Sequence, residues 1–499
     1  MDGVFGFWTI LVLLLFGTQL TSGATFECPS RFGYFPDKTE CAKYYICNFG
    51  FGVQQECPNG LQFSTRLRNC DWARNINCTQ YNGYAYREGE DNLPPDTTEV
   101  STTPELFIFP LNNTRFTQIF AQTTQRTGIT KKPKLQICPA PLCTKSNCQA
   151  PGCRCGSADP PNVMDPDDIP QMILVTFENA ITDWAMSVSE NTFTDARKNP
   201  NNCPIRATYF VSHEWTDYSN VQNLLTKGHE IAVLGISLEF KNNRSLESWE
   251  AETQGQRKIL SKFANIPMTD IVGMRAPYLS IGGDNQFMML YNNEFLYDSS
   301  MPVFESEPPF FPFTLDCRIN NDCMIDPCPN NSFPGIWEMP IVMWNDLSGS
   351  RCNMVDQCTD AENYQEVYEL LMSNFERHYT TNRAPFNIFV SAGWFAKEMN
   401  QRAFRGFLDT VLDKTDQAKY RDVYFVTMSQ AIQWMKTPVT RFNAKTFKPW
   451  QCTDTPKTPP CTKPNQCTPW FEKNKEIRPF KTCRECPKNY PWVGNEDGH

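Results

Sequence analysis

A chain of 499 residues with 40% hydrophobic content can bury at least one large core and divides into several parts. Its formal net charge of −9 excludes phosphate backbones, which demand clustered Lys and Arg. A neutral or amine-bearing polymer suits it better.

The first segment is a processing signal. Met1–Gly23 carries an apolar run from Val4 to Phe16 followed by Thr21-Ser22-Gly23, too short to span a bilayer and placed as a cleaved secretory signal is. No later stretch approaches the ~20 apolar residues a membrane requires, so no membrane partner is expected. Secretion accounts for the 22 cysteines, because disulfides persist in oxidising compartments. Asn77, Asn112, Asn243 and Asn330 lie in Asn-x-Ser/Thr sequons, glycosylation acceptors in a secreted chain.

Six cysteines, Cys28, Cys41, Cys47, Cys57, Cys70 and Cys78, are isolated from the rest until Cys138. A segment this short cannot fold on apolar burial alone, so three disulfides are expected, with the spacing leaving their pairing open. The module is dense in aromatics, among them Tyr44, Tyr45, Phe63 and Trp72. Exposed aromatic planes suit the C–H faces of sugar rings. The runs Cys41-Ala-Lys-Tyr-Tyr-Ile-Cys47 and Cys57-Pro-Asn-Gly-Leu-Gln-Phe-Ser64, closing on Cys70-Asp-Trp72 and Asn77-Cys78, resemble the peritrophin-A type of chitin-binding module. The resemblance implies chitin as ligand and bridges Cys28–Cys47, Cys41–Cys78 and Cys57–Cys70. Tyr45, Phe63 and Trp72 are the expected contacts.

From 80 to 135 the chain turns to Thr, Pro, Asn and charge without apolar period, the composition of a flexible linker open to O-glycosylation. A Cys-rich collar follows over 136–168. Beyond it, β-rich runs at Met172–Phe177, Ala207–Val211, Glu230–Ile236, Ile271–Met274, Ile336–Met343, Phe386–Val390 and Val423–Thr427 alternate with helical patterns at Asn220–Lys227, Glu362–Arg377 and Glu398–Leu412. That alternation predicts a parallel α/β sheet, doubly wound or closed into a barrel, over 169–440. A Cys-rich tail completes the chain from 441 to 499.

The sixteen cysteines outside the module fall into clusters of odd size, at 138–155, at 203, at 317–358 and at 452–486. If all are oxidised, each cluster must send a bridge outside itself, stapling collar and tail to the large domain. A zinc or redox role for Cys483-x-x-Cys486 is the alternative.

A second resemblance rests on Leu174-Val-Thr-Phe-Glu-Asn-Ala180, Ala207–Trp215, Gly228-His-Glu-Ile231, Met274-Arg-Ala-Pro-Tyr278, Tyr297-Asp-Ser-Ser300, Phe333–Pro340 and Arg383-Ala-Pro-Phe386. In this order they resemble polysaccharide deacetylases of the arthropod and nematode chitin deacetylase type. The resemblance implies a distorted (β/α) barrel preceded by the small disulfide-rich β module. It also implies zinc or another divalent metal held by one Asp and two His, with a carboxylate base and a His acid.

At the metal positions this chain has Asn179, Leu234 and Leu238; at the base, Glu178; at the acid, Ser391, with Arg275 retained. A Leu offers no lone pair. The chain has only four histidines, His213, His229, His378 and His499, and the first three read as packing residues. Losing the metal returns bound water from a pKa near 7 towards 15.7, on the order of 12 kcal/mol of activation. The reading is therefore a secreted, non-catalytic chitin-binding protein of an extracellular matrix with no cofactor. Its partners are chitin and, further, other matrix proteins or active deacetylases. The alternative is a deacetylase with an atypical site in which Glu178, Asn179 and Asp183 hold a metal. Trp337, Trp344 and Trp394 are candidates for a sugar-binding groove, core packing being the competing role.

Overall fold

The computed structural model describes residues 26–28, 33–48, 51–57, 61–64, 69–72, 138–144, 146–239, 244–318, 323–358, 361–415, 418–452 and 458–499. The signal segment, the linker 80–135 and the sequons at Asn77, Asn112 and Asn243 lie outside these. The chain divides into two compact units, Met1–Glu90 and Asp91–His499. Among the described residues no helix is long and apolar enough to cross a membrane.

The first unit pairs β1 (Gly33–Pro36), β2 (Lys43–Asn48) and β3 (Phe51–Glu56) into an antiparallel sheet, and β4 (Leu61–Ser64) with β5 (Asn69–Trp72) into a hairpin. Asp37 ties the turn between β1 and β2: its Oδ1 accepts from the backbone N–H groups of Thr39 and Glu40, and its Oδ2 accepts from Gln54 across on β3. Those donors hold its carboxyl down at about 2 against the opposing effect of burial. Cys28, Cys41 and Cys57 are all in disulfides.

The second unit is built on β6 (Gln171–Asn179), β7 (Thr208–Ser212), β8 (Glu230–Gly235), β9 (Gly273–Met274) and β10 (Tyr297–Asp298). Further strands are β11 (Pro302–Val303), β12 (Phe313–Thr314), β13 (Trp337–Glu338), β14 (Ile341–Val342), β15 (Trp344–Asn345), β16 (Arg351–Cys352), β17 (Phe386–Ser391) and β18 (Val423–Phe425). The nine-stranded sheet runs β12-β13-β10-β9-β8-β7-β6-β17, with β18 also on β6. All its pairings are parallel except β12 with β13. It is the curled, incompletely closed sheet expected of a distorted barrel, fully buried strands giving near-continuous apolar runs.

Helices α1 (Asp183–Thr192), α2 (Tyr218–Thr226), α3 (Leu246–Trp249), α4 (Gly255–Phe263), α5 (Gly283–Asn292), α6 (Tyr364–Tyr379), α7 (Glu398–Val411) and α8 (Met428–Lys436) pack around it. Their ends follow the sequence. Asn363 caps α6 through two backbone N–H groups, and Thr427 with Gln430 closes a capping box on α8. Gly228, at φ +87°, ends α2 in the left-handed conformation that side chains resist. Met172, Leu174, Phe210, Ala232, Leu234, Tyr297 and Trp337 join one apolar cluster along the sheet.

The tail adds two hairpins, β19 (Asn465–Cys467) with β22 (Phe480–Thr482) and β20 (Trp470–Phe471) with β21 (Glu476–Ile477). Arg478, 1% exposed, fixes this lobe to the barrel: it bonds Glu214 beyond β7 at 2.7 Å and lies 4.4 Å from the Trp215 ring. Disulfides join Cys143–Cys155, Cys148–Cys153, Cys203–Cys452, Cys323–Cys328, Cys352–Cys358, Cys461–Cys483 and Cys467–Cys486. The parity expectation is met only in part. Cys203–Cys452 staples the tail, whereas Cys138 and Cys317 carry free thiols, so no bridge runs from collar to barrel. Cys483 and Cys486 are spent on separate bridges, which removes the zinc or redox alternative for that pair.

Candidate functional site

Parallel strands deliver the residues singled out in the sequence to one place, the C-terminal ends of β6, β8, β9 and β17. Glu178 and Ser391 are direct cross-strand partners in the β6–β17 register. Asn179 pairs with Val211 at the end of β7, whose neighbour Ser212 faces Gly235 of β8. Such strand ends, where loops converge, are where α/β barrels place their sites.

Arg275 follows β9 and is fully buried. Its guanidinium is sandwiched between Phe210 and Phe389, 4.1 Å from each ring centroid, and bonds Ser299 O at 2.8 Å, Ser299 Oγ at 3.0 Å and Thr176 Oγ1 at 3.4 Å. It is a rigid positive charge beneath Glu178. Burial raises the Glu178 carboxyl to about 7; Arg275 opposes the shift and Asp356 adds to it.

Asp356 is the functional residue that sequence reasoning missed. It lies in a short turn, Val355–Gln357, inside the Cys352–Cys358 loop. Its Oδ2 accepts from Ser391 N at 2.9 Å and its Oδ1 from Ser391 Oγ. Burial raises it to about 6 against those two bonds. Ser391 Oγ also accepts from Trp394 N at 3.3 Å, capping the turn that follows. The only sequence signal was the disulfide loop itself, and nothing in it points at the barrel mouth.

The metal positions hold no set of donors. Leu234 is 2% exposed within the apolar cluster, and Leu238 packs against it. Leu238, at φ +50°, occupies the left-handed region uncommon for a branched residue. Glu252, in the widened turn Glu250–Gln254 between α3 and α4, holds that loop: its carboxylate accepts from Ser237 N (2.7 Å), Leu238 N (3.0 Å) and Ser237 Oγ (2.9 Å). Arg244 lies 3.6 Å from the same carboxylate. Asn179 sits at φ +92°, a backbone Asn tolerates better than most. Asp183, the third ligand of the atypical-site alternative, is engaged by Lys481 (2.9 Å) and Asn220 (3.0 Å). These residues do not fit a divalent metal. Among the described residues, one group of three metal-type donors lies close together, Cys143, Cys148 and Cys317 in the collar region.

The histidines are structural, as their contexts predict. His213 spends both ring nitrogens, on Tyr218 OH and Pro491 O. His229 accepts from Ala207 N, and His378 pairs with Ala384 O. His229 directly precedes β8, and His378 lies in the last turn of α6, packed on the segment that leads into β17. Burial holds all three near 3, hence neutral. His499 is exposed at the chain end.

Two groove candidates are corrected. Trp337 and Trp344 are 1% and 3% exposed, core rings at strand positions facing inward; Trp344 stacks on Phe386. Trp394 is half-buried, edge-on to Phe395 and Phe404. The exposed indole at the mouth is instead Trp184, 45% accessible, its Nε1 bonded to Ala392 O at 2.9 Å beside Ser391. In the first unit Phe63 is fully buried, stacked on Tyr44 at 4.6 Å. It serves the core and presents no face to a sugar. Tyr45 is partly exposed, stacked on Phe26 and bonded to Gln54. The Trp72 side chain lies outside the described residues.

Residues 28–78 match the chitin binding Peritrophin-A domain. Chitin deacetylase 1 of Bombyx mori is 35% identical over 485 residues, covering 90% of this chain and 86% of that protein. Chitin deacetylase 8 of the same organism is 34% identical over 373 residues, covering 71% of this chain and 93% of that protein. Among solved structures, a probable polysaccharide deacetylase from Pseudomonas aeruginosa PAO1 covers 56% of this chain and 95% of its own at 14% identity, with a TM-score of 0.36. The chain belongs to the chitin deacetylase family and carries that family's barrel behind a peritrophin-A chitin-binding domain.

Proposed function

We propose that this protein is secreted, binds chitin in an extracellular matrix and does not deacetylate it. The observation that carries the reading is the pair Leu234 and Leu238, side chains without lone pairs, the first sealed in the apolar cluster. Without donors there, no cation polarises an acetamide carbonyl or activates water, and Glu178 alone does not recover that loss. Chitin is held by the N-terminal module through Tyr45 and Trp72, and a glycan strand lies at the barrel mouth against Trp184. Matrix proteins and active deacetylases are its further partners. Asn330, exposed among the described sequons, carries glycan.

Metal content and acetate release of the purified protein test this together. The expected result is no stoichiometric zinc and no acetate from chitin oligomers, with retention on chitin beads. Metal-dependent acetate release abolished by Glu178→Ala overturns it.

The second reading, a deacetylase with an atypical site, is favoured by one observation. Glu178 lies near neutrality at about 7, where a general base works best. Deleting residues 24–78 separates a third possibility, in which the barrel binds another protein and the module is the sole chitin anchor: residual chitin affinity then vanishes.

A further inference from the structure

The collar leaves one sulfur arrangement unexplained. Cys317 is a thiol, 5% exposed, yet its Sγ and those of Cys143 and Cys148 all lie within 4.8 Å of one another. The backbone holds the two segments in register, Arg318 N donating to Pro141 O at 2.8 Å. Cys317 Sγ also lies 3.8 Å from Asn147 Oδ1, next to Cys148. A buried thiol thus faces two disulfides, and the other free thiol among the described residues is the exposed Cys138.

We propose that in the mature protein Cys317 is bridged to Cys148, making a covalent link between collar and barrel. The proposal rests on the reading that the chain is secreted through an oxidising compartment. Both sulfurs are buried, at 5% and 8% exposure, whereas Cys143 is more accessible. Turning a side chain to another staggered rotamer moves Sγ by about 3 Å, enough to reach the ~2.05 Å of a disulfide bond.

The chemistry is exchange and needs no oxidant. Cys317, as thiolate, attacks Cys148 Sγ; the Cys317–Cys148 bond forms, the Cys148–Cys153 bond breaks, and Cys153 leaves as a thiolate that takes up the proton Cys317 gave up. Loop closure gives the direction. Cys148–Cys153 spans a separation of 5 residues, and a bridge to Cys317 closes a far longer loop, removing more freedom from the unfolded chain. The thiol moves to Cys153, within the collar that also holds Cys138.

Tryptic mapping of the intact protein, thiols alkylated and nothing reduced, decides the pairing. Cleavage at Lys145, Arg154, Arg275 and Arg318 places Cys143, Cys148 with Cys153, and Cys317 on separate fragments, 135–145, 146–154 and 276–318. The expected product is 276–318 cross-linked to 146–154, with fragmentation locating the bond at Cys148. Recovery of 276–318 alone with Cys317 alkylated, or linked to 135–145, overturns the proposal. If Cys203 and Cys452 are bridged in that sample, the secreted reading survives; if they are alkylated too, both fall. In Cys148→Ser, Cys317 changes from protected to fully alkylated, while Cys153→Ser leaves it protected. Cys153→Ser with an alkylated Cys317 refutes the pairing even if Cys148→Ser does not fold.

Discussion

Replacing Glu178 by Gln isolates the electrostatics of the barrel mouth. The carboxyl is raised from 4.5 to about 7, so the folded protein holds its proton more tightly than the unfolded chain does. The associated stability is therefore complete below the unfolded value and is lost as pH rises through about 7. The shift of ~2.5 units at ~1.36 kcal/mol each amounts to about 3 kcal/mol, reduced towards 2 because water reaches this partly exposed group. Glu178→Gln keeps the shape and never ionises. Variant and parent should then have nearly equal stability near pH 4.5 and diverge above pH 7 by about 2–3 kcal/mol in favour of the variant. Asp356 is present in both proteins, and its repulsion of the Glu178 carboxylate is part of the gap measured. Thermal unfolding of the full chain at both pH values measures it; for a unit this large the gap is on the order of 2–5 °C. Equal separation at both pH values, or a parent more stable on the alkaline side, refutes the assignment of a carboxyl desolvated at the mouth and repelled by Asp356.

Glu252→Ala removes three hydrogen bonds from the Ser237–Leu238 loop and strands Arg244, a loss of about 3–5 kcal/mol in denaturant titration; a change below 1 kcal/mol would show that another group holds the loop. Trp184→Ala removes an exposed ring, so it should leave the melting temperature unchanged and weaken chitin-oligomer binding by a module-deleted protein, read by calorimetry, by about 0.5–1.5 kcal/mol. Phe63→Ala and Tyr45→Ala should separate cleanly. The buried ring costs about 3–5 kcal/mol and unfolds the module. Replacing the partly exposed Tyr45 weakens chitin-bead retention while the circular dichroism of the full chain stays native.

Strand-helix alternation exposed the barrel because its central strands are buried on both faces and read as unbroken apolar runs. The run Ile336–Met343 is two short strands, broken at Met339-Pro340, since Pro supplies no donor to a ladder. The short pairings of β11, β12, β15 and β16 were invisible, each being two residues long and set by tertiary contact. Glu178, Asn179, Leu234, Leu238, Arg275 and Ser391 were legible because each ends or follows a strand carrying a motif. Asp356 and Glu252 were not. They reach the mouth from a disulfide loop and a widened helical turn, and no local periodicity encodes what a carboxylate will meet across the fold. Solvent exposure misled in the same way: Trp337, Trp344 and Phe63 look like binding aromatics in sequence, and only packing reveals them as core.

A barrel that loses a metal ordinarily keeps donors with no cation to satisfy them, a cost that burial magnifies. On the proposed reading, the corresponding positions here are taken into the fold. Leu234 adds to the apolar cluster. The loop carrying Leu238 is pinned by Glu252, a carboxylate doing mechanically what a bound ion would do, namely fixing two adjacent backbone N–H groups and a hydroxyl. Ser391 caps its own turn and is held by Asp356 through two bonds. What is left unabsorbed at the mouth is the Glu178 carboxyl above Arg275, with an exposed indole beside it. Groups of that kind suit a sugar's hydroxyls and C–H faces, which is what the proposed binding role asks of this surface. Under the proposed role Trp184 and the Arg275 clamp serve binding, and aliphatic side chains at 234 and 238 cost that role nothing.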